Sequence, residues 1–227
     1  MSNSKVEAGS IKKNPLIEEL HEAIRGKSHI VWDWNGTLLN DVDHAVLTVN
    51  TLLKEHSLPL VNSKEYREHF GFPVKNYYEM LGFDFSRESF ESLCSRFVDR
   101  FMCGIHDLSL IPEMKSVLMT LHQEGFTQSI LSATDQENLD SLISHFKLDS
   151  VFQFVFGVDN KLAGSKLERG RDLIRTSQIS TSSTIIIGDT IHDLEVAREL
   201  GVDVVLVGHG HQCPKRLRKH HDKVIAL

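Results

Sequence analysis

Five residues of this chain have side chains suited to metal or phosphoryl chemistry, and each comes after an apolar run. They are Asp33, Ser132, Lys166, Asp189 and Asp193. The apolar runs, at 29–32, 127–131, 151–156 and 184–187, predict buried strands. Because the carboxyl ends of parallel strands meet at one edge of a sheet, where ligands bind, we expect these five side chains to lie close together.

The chemistry expected of this group follows from its oxygen and nitrogen atoms. Carboxylates together with strand-end oxygens form a hard site of the kind that Mg²⁺ prefers. A lysine and a serine hydroxyl beside it would bind a phosphoryl group. Each residue alone has a structural alternative: Asp33 as a turn former, Ser132 as a helix cap, Lys166 as a solvated lysine, and the two later acids as a helix start. Their joint occurrence favours chemistry.

The elements that would position this group alternate along the chain. Strands are predicted at 29–33, 127–131, 151–156, 184–187, 203–207 and 223–226, and helices at 113–124 and 135–147. Thr134-x-x-Glu137 is the sequence of a capping box for the second of these helices. The alternation predicts an α/β fold with a doubly wound, Rossmann-like parallel sheet.

Two segments fall outside this alternation. Residues 1–14 are polar and predicted to form a flexible arm, with Asn14 capping a helix that begins at Pro15. Residues 40–106, which we call the helical insert, contain apolar stripes of helical spacing at 41–57 and 86–103 and shorter helical pieces at 63–70 and 74–81. We therefore expect a core domain of 15–39 and 107–227 and a helical cap at 40–106.

The motifs in this order resemble those of the haloacid-dehalogenase-like superfamily, in particular its phosphoglycolate-phosphatase-like branch. They are Asp33-x-x-Gly36-Thr37, a strand followed by Ser132, then Lys166, then Gly188-Asp189-x-x-x-Asp193. The resemblance extends from about Ser28 to the end of the chain. It implies a Mg²⁺-dependent phosphohydrolase that acts on a small phosphorylated metabolite.

The resemblance also implies individual roles. Asp33 would be the nucleophile that forms an aspartyl-phosphate, and Mg²⁺ would be held by Asp33, the backbone carbonyl of Asn35 and Asp189, with Asp193 supporting them. The phosphate would be bound by Ser132, Ala133, Lys166 and the backbone amides of Trp34 and Asn35. The helical insert would close over the site and exclude water.

One residue departs from the family pattern. Phosphatases of this family carry an aspartate two residues after the nucleophile as general acid and base, whereas this chain has Asn35. An amide cannot transfer a proton, and general acid–base help is typically worth ~10²–10⁴-fold. We expect hydrolysis of alkyl phosphates to suffer and that of esters or acyl phosphates with good leaving groups to suffer least. The alternative is a regulatory relative that binds phosphate and Mg²⁺ with little turnover.

Other branches of the superfamily fit less well. The metal-free dehalogenases lack this pattern of acids, and sugar phosphomutases need the acid that Asn35 replaces. Phosphonate hydrolases use a cap lysine, and Lys54, Lys64 and Lys75 in the helical insert are more simply surface residues. In the same segment Arg67, Lys75 and Arg100 could reach a substrate carboxylate, and the sequence does not choose among them.

Composition limits the remaining possibilities. The 227 residues have a formal net charge of −6, which gives no electrostatic reason to expect a nucleic-acid or membrane partner. No apolar run approaches ~20 residues, and three cysteines without a CxxC pair suggest no disulfide framework, so we expect a cytoplasmic protein. We interpret His209, His211, His220 and His221 as a surface cluster and the basic run at 215–219 as a solvated helix face. The oligomeric state is not indicated.

Overall fold

The computed structural model describes residues 15–158 and 166–225, and its centre is a six-stranded parallel sheet. The strand order is β3-β2-β1-β4-β5-β6. The strands are β1 (His29–Trp32), β2 (Thr127–Asp135), β3 (Phe154–Val158), β4 (Thr184–Gly188), β5 (Asp203–Val207) and β6 (Val224–Ile225). Trp32 of β1 pairs with Ile130 on one side and Ile187 on the other, so the ends of the three central strands lie together.

Helices cover both faces of the sheet because its side chains alternate between two apolar clusters. Ile30 and Trp32 face a cluster completed by α1 (Pro15–Ala23), α6 (Met114–Gln123) and α7 (Gln136–His145). Val31 lies in the opposite cluster with α8 (Lys166–Ser177), α9 (Ile191–Leu200) and the short α10 (Pro214–Leu217). This is the doubly wound α/β fold that the sequence predicts.

The helical insert forms its own apolar cluster. It contains α2 (Val42–Glu55), α3 (Ser63–His69), α4 (Val74–Leu81) and α5 (Phe90–Met102), which pack around residues such as Leu52 and Leu93. All six strands of the sheet lie outside 40–106, a segment that the structure describes completely. The predicted helical content of this segment is confirmed. Within 15–158 and 166–225, no helix combines the length and apolar character needed to cross a bilayer.

Strand boundaries differ from the prediction at two places near the crevice. β2 continues through Ser132 to Asp135, with a register shift against β3 between Leu131 and Asp135, so Ser132 lies within a strand rather than after one. β3 begins at Phe154 instead of 151, because Val151 closes a turn onto the Leu148 carbonyl. Apolar residues of this turn are buried without being in a strand, which a hydropathy pattern does not distinguish.

Helix starts also differ. The N-cap of α7 is Asp135, whose carboxylate accepts a hydrogen bond from the Asn138 backbone at 3.1 Å, so the predicted Thr134 capping box is wrong. α5 begins at Phe90 with Ser89 as its cap rather than at Ser86, because Ser86 forms a turn with Asp84 instead. The arm predicted for residues 1–14, with its Asn14 cap, lies outside the described residues.

Candidate active site

A buried lysine between two carboxylates forms the centre of the site. Asp33 follows β1, Lys166 is the first residue of α8, and Asp193 lies in the first turn of α9. Lys166 Nζ is 2.5 Å from Asp33 Oδ1 and 2.6 Å from Asp193 Oδ1. All three side chains are at least nine-tenths buried, so these charge-assisted hydrogen bonds lie in a medium of low dielectric constant.

The pKa values of the two carboxylates are shifted in opposite directions. Burial, with the nearby charge of Asp193, raises the pKa of Asp33 to about 6, although Lys166 acts in the opposite direction. Burial would also raise the pKa of Asp193, but the charge and hydrogen bond of Lys166 and the hydrogen bond from Thr190 outweigh it and lower that pKa. Burial disfavours the charged form of Lys166, yet the two carboxylates together raise its pKa. The lysine is therefore a fixed cation.

Asp189 completes an acidic group at the end of β4. Its Oδ1 accepts a hydrogen bond from the Thr37 hydroxyl at 3.3 Å, and its Oδ2 accepts one from the His211 backbone amide at 2.5 Å. Gly36, whose φ is +71°, and Gly210 pack against this carboxylate so closely that a Cβ atom at either position would clash with it. Burial, with the charges of Asp33 and Asp193, raises the pKa of Asp189 well above its ordinary value.

The acidic group fits a divalent cation. Asp33, Asp189 and Asp193 each place one carboxylate oxygen within 4.8 Å of the others. Three buried carboxylates compensated by one lysine leave an excess of negative charge, and hard oxygen donors are the ligands that Mg²⁺ prefers. The structure thus brings together three of the four predicted metal ligands by their side chains, and the fourth, the Asn35 carbonyl, stays a prediction.

The predicted phosphate-binding residues differ in whether their side chains reach the cavity beside Asp33. Ala133 and Lys166 line a cavity that opens from Asp33 into the helical insert. Ser132 is fully buried, and its Oγ accepts a hydrogen bond from the Thr134 backbone amide at 3.0 Å. Trp34 is also fully buried in the core, so only its backbone is available for the predicted role.

A polar network around Asn35 is not predicted from the sequence. Asn35 Nδ2 donates to Asp41 Oδ2 at 2.8 Å, and Asn35 Oδ1 accepts a hydrogen bond from the Thr134 hydroxyl at 2.7 Å. Asp41 Oδ1 accepts the Gly36 amide at 2.7 Å and lies 3.3 Å from His211 Nε2. Asp41 is therefore more than the helix start that its sequence position suggests.

His211 corrects the expected surface histidine cluster. Its side chain is buried, with Nδ1 2.9 Å from the Tyr66 hydroxyl and Nε2 directed at Asp41. Burial would lower its pKa, but Asp41, followed by Asp189 and Asp33, raises it to about 9. His209 is half-buried and lies 3.2 Å from the Thr37 carbonyl, whereas His220 is exposed. The signal available in the sequence, a histidine two residues after another, does not distinguish these environments.

The segment 208–216, a loop followed by the start of α10, also joins the helical insert to the core. Arg67 of α3 donates to the Gly208 carbonyl at 2.5 Å, and Arg216 donates to the Phe70 carbonyl at 2.5 Å. The Cys213 amide donates to the Arg67 carbonyl at 3.2 Å. Arg216 is thus half-buried in this contact, which corrects the expectation that the whole basic run at 215–219 is a solvated face.

These features agree with comparisons to known proteins. Residues 30–207 match the haloacid dehalogenase-like hydrolase family, so the chain belongs to that family. A phosphoglycolate phosphatase of Caulobacter vibrioides is 28% identical over 191 residues, which cover 80% of this chain and 79% of that protein. A 5'-nucleotidase of Pseudomonas aeruginosa is 23% identical over 85% of this chain and 87% of its own length.

Solved structures show the same fold. A haloacid dehalogenase-like family hydrolase of Streptococcus pneumoniae superposes with a TM-score of 0.72 at 21% identity, over 88% of this chain and 94% of that one. A protein described as a predicted phosphatase of Clostridium acetobutylicum has a TM-score of 0.75 at 19% identity over the same shares. With the family match and the phosphatase relatives, the chain is a hydrolase that acts on phosphoric esters.

Proposed function

We propose that the chain is a Mg²⁺-dependent phosphohydrolase that acts on a small phosphorylated metabolite through an aspartyl-phosphate on Asp33. The observation that carries this proposal is Lys166 Nζ, held 2.5 Å from Asp33 and 2.6 Å from Asp193 in a buried group of acids. A carboxylate attacks a phosphate dianion slowly unless positive charge screens the two anions from each other. Lys166 supplies that charge at the carboxylate itself.

In the first step an oxygen of the Asp33 carboxylate forms a bond to phosphorus while the ester P–O bond breaks, and the leaving group departs with the electron pair. In the second step a water oxygen attacks phosphorus and the P–O bond to the Asp33 carboxylate breaks. The protons of that water leave with the inorganic phosphate, and the Asp33 carboxylate is regenerated. Lys166 neutralises the equatorial oxygens of the transferring group in both steps. Asp193 orients Lys166, because one of its oxygens contacts the ammonium and the other accepts the Thr190 hydroxyl at 2.7 Å.

Asp33 and Asp189, with the Asn35 carbonyl, would hold Mg²⁺, and Asp193 would support it. A bound Mg²⁺ would supply neutralisation of the phosphoryl oxygens and would orient them for in-line attack. The support for this ligand set is the proximity of the three carboxylates, whose mutual repulsion a divalent cation would relieve. Ser132, Ala133 and the amides of Trp34 and Asn35 are the proposed phosphate contacts.

The helical insert (residues 40–106) is proposed as the cap of a core formed by 15–39 and 107–227. It supplies most of the wall of the cavity above Asp33. It also contacts the segment 208–216, because Arg67 donates to the Gly208 carbonyl and Arg216 donates to the Phe70 carbonyl. Closure of such a cap excludes water that would otherwise compete for the phosphoryl group. The phosphatase relatives support a small phosphorylated substrate, since several are phosphoglycolate phosphatases.

A second candidate function follows from Asn35. This residue donates to Asp41 and carries no transferable proton, which favours a phosphate- and Mg²⁺-binding regulatory protein with little turnover. The two candidates make opposite predictions for an activated substrate. A phosphohydrolase without a general acid still cleaves acetyl phosphate, whose leaving group needs no protonation, whereas a regulatory protein binds it without turnover.

The test is to incubate the protein with acetyl phosphate and Mg²⁺ and to follow phosphate release, together with acid-quenched mass spectrometry of the protein. We expect turnover and a phosphorylated peptide that contains Asp33. Asp33→Asn should abolish both, while Asp222→Asn, a change at an exposed aspartate far along the chain, should abolish neither. Phosphate release by Asp33→Asn at the wild-type rate would overturn the assignment of the nucleophile.

A further inference from the structure

The cavity above Asp33 has an aromatic wall. It has a volume of about 230 Å³, and its described lining includes five phenylalanines and three tyrosines. Phe70 and Phe72 lie on the loop after α3, and the Phe72 ring stacks on His192 with centroids 4.5 Å apart. Phe97 and Phe101 of α5 stack at 5.6 Å. A wall of this kind favours an apolar ring over a charged group, because aromatic faces contact each other at little desolvation cost.

The described part of this lining offers no free lysine or arginine for a substrate carboxylate. Among the described residues that line it, Lys166 is the only lysine and no arginine occurs, and Lys166 is already paired with Asp33 and Asp193. The three cations of the helical insert that the sequence left open are engaged elsewhere: Arg67 with the Gly208 carbonyl, Lys75 over the Phe85 ring and Arg100 with Glu55. Burying a carboxylate without a partner is expensive, so a glycolate-like leaving group fits poorly.

Asn35, Asp41 and His211, the described groups around position 35, offer no free proton either. Asn35 cannot donate one to a leaving oxygen, and Asp41 accepts hydrogen bonds from both Asn35 and the Gly36 amide. Both ring nitrogens of His211 are engaged, one with Tyr66 and the other with Asp41. A site arranged in this way favours an ester whose oxygen leaves as a stable anion. A phenol ionises near pH ~10, as tyrosine does, whereas an alcohol is several orders of magnitude less acidic.

One polar atom in the wall has no partner. Tyr77 lines the cavity, is 4% exposed, and its hydroxyl forms no hydrogen bond among the described residues. An unsatisfied buried hydroxyl costs ~1–3 kcal/mol, a cost that a polar substituent on a bound ring would relieve. Tyr77 is therefore a lining residue whose hydroxyl is available for a hydrogen bond to a bound ring.

From these observations we infer that the substrate is an aryl phosphate, with its one aromatic ring in the cavity and a polar ring substituent bonded to Tyr77. The inference rests on the proposed function where it concerns hydrolysis of the aryl phosphate. Where it concerns binding of the aromatic ring, it does not. It separates this chain from an enzyme for phosphoglycolate, even though that activity is named for several of its relatives.

Binding tests the ring without any chemistry. Calorimetry in the presence of Mg²⁺ would compare phenylphosphonate with phosphonoacetate, two non-hydrolysable compounds that differ in a ring and a carboxylate. Burial of one ring predicts that phenylphosphonate binds at least about tenfold more tightly. Equal binding, or tighter binding of phosphonoacetate, would overturn the inference while leaving the proposed function intact.

Turnover tests the leaving group. Phenyl phosphate and benzyl phosphate both place a ring in the cavity, but only the first releases a phenol. Because both esters form the same aspartyl-phosphate, kcat/KM is the quantity that reports loss of the leaving group. We expect kcat/KM for phenyl phosphate to be at least ~100-fold higher, the scale of missing acid catalysis. Equal kcat/KM values would overturn the leaving-group argument. If the protein hydrolyses neither ester and does not hydrolyse acetyl phosphate, the proposed function is contradicted. The binding comparison would still decide which class of ligand the cavity takes.

Two variants test separately the contribution of the ring and that of its polar substituent to binding. Tyr77→Phe should weaken binding of 4-hydroxyphenylphosphonate by about fivefold and leave phenylphosphonate unchanged, since one neutral hydrogen bond is lost. Val98→Lys places a cation in the half-buried wall of α5 and should reverse the preference toward phosphonoacetate. If Tyr77→Phe weakens both ligands equally, or if folded Val98→Lys protein keeps the original preference, the assigned wall does not determine specificity.

Discussion

Asn35 Nδ2 donates a hydrogen bond to Asp41 Oδ2 across 2.8 Å, and this contact connects the departure from the family pattern to a buried carboxylate. Asp41 is 1% exposed and also accepts the Gly36 amide, so it fixes the backbone immediately after Asp33. His211 lies on its other side at 3.3 Å. The position at which the family pattern leads us to expect an acid is thus occupied here by an amide that donates to a buried carboxylate.

Asp41→Asn should make stability less dependent on pH. The pKa of His211 is about 9 in the folded protein against an ordinary 6.5, with Asp41 as the main cause of the increase. A raised histidine pKa contributes stability that is fully present below pH 6.5 and lost as pH rises through 9. That contribution is of the order of 3 kcal/mol and depends on the Asp41 charge.

Urea unfolding at pH 6, 7.5 and 9 measures the effect. We expect wild type and Asp41→Asn to differ by about 3 kcal/mol at pH 6 and to converge toward pH 9. Asp222→Asn, at an exposed site, should follow the wild-type curve throughout. A difference between wild type and Asp41→Asn that is the same at all three pH values would show that His211 titration is not involved.

Asp189→Asn should have opposite effects with and without metal. Burial and two neighbouring acids raise the Asp189 pKa well above its ordinary value, so the ionised group destabilises the metal-free fold. Removing its charge should raise the metal-free melting temperature. The wild type should gain about 2.7 kcal/mol from Mg²⁺ at a hundredfold excess over its dissociation constant, and Asp189→Asn should gain far less.

Differential scanning calorimetry with a Mg²⁺ titration gives both readings in one experiment. Gly210→Ala is the matched change in the surroundings of Asp189, because its Cβ would displace the same carboxylate without altering any charge. It should weaken the Mg²⁺ response but should not raise the metal-free melting temperature. Equal Mg²⁺ stabilisation of wild type and Asp189→Asn would refute the metal assignment.

The sequence predicts the fold and the grouping of Asp33, Lys166 and Asp193 because local signals determine them. Apolar runs followed by polar residues indicate strand ends, and a parallel topology brings those ends together without knowledge of any contact. The buried lysine between two carboxylates follows from this geometry. Strand lengths are less predictable: β2 continues past Ser132 because pairing with β3, not hydropathy, determines where it ends.

Asp41 and His211 show what sequence patterns leave out. They are separated by 170 positions along the chain, and each has a local explanation, a helix start for Asp41 and a histidine-rich segment for His211. Their pairing depends on how the segment 208–216 folds back over Gly36 and α3. No periodicity in either segment encodes that approach, so a contact of this kind emerges only from the tertiary structure.

Arg216→Ala should loosen the contact between the helical insert and the core. Arg216 donates to the carbonyls of Phe70 at 2.5 Å and Glu68 at 3.3 Å, both at the end of α3. If the insert acts as a cap, the open form should become more populated, with faster amide exchange across 63–73 and a several-fold higher KM. Arg218→Ala removes a charge from an exposed neighbour and serves as control. Unchanged exchange in Arg216→Ala would argue against a movable cap closed by this contact.

The Asn35→Asp exchange tests the missing acid directly. It places a carboxyl group 2.8 Å from Asp41 in place of the amide donor, and two carboxyls so close retain a shared proton. That proton would be available to a leaving oxygen. We expect kcat/KM for benzyl phosphate, which reports the first step alone, to rise by ~10²-fold or more, and kcat/KM for phenyl phosphate to change far less, because the phenol leaves without protonation.

The Asn35-Gly36 dipeptide makes verification of the wild type essential, because deamidation would create the variant spontaneously. In the fold, however, Asp41 accepts hydrogen bonds from both the Asn35 side chain and the Gly36 amide, the nitrogen that must attack Asn35 for deamidation to occur. Mass spectrometry of the 35–36 peptide should therefore show slower deamidation in native protein than in protein unfolded in urea. Once Asn35 is verified in this way, equal kcat/KM for benzyl phosphate in wild type and Asn35→Asp would mean that another group already supplies the proton. The restriction to phenolic leaving groups would then fail as well.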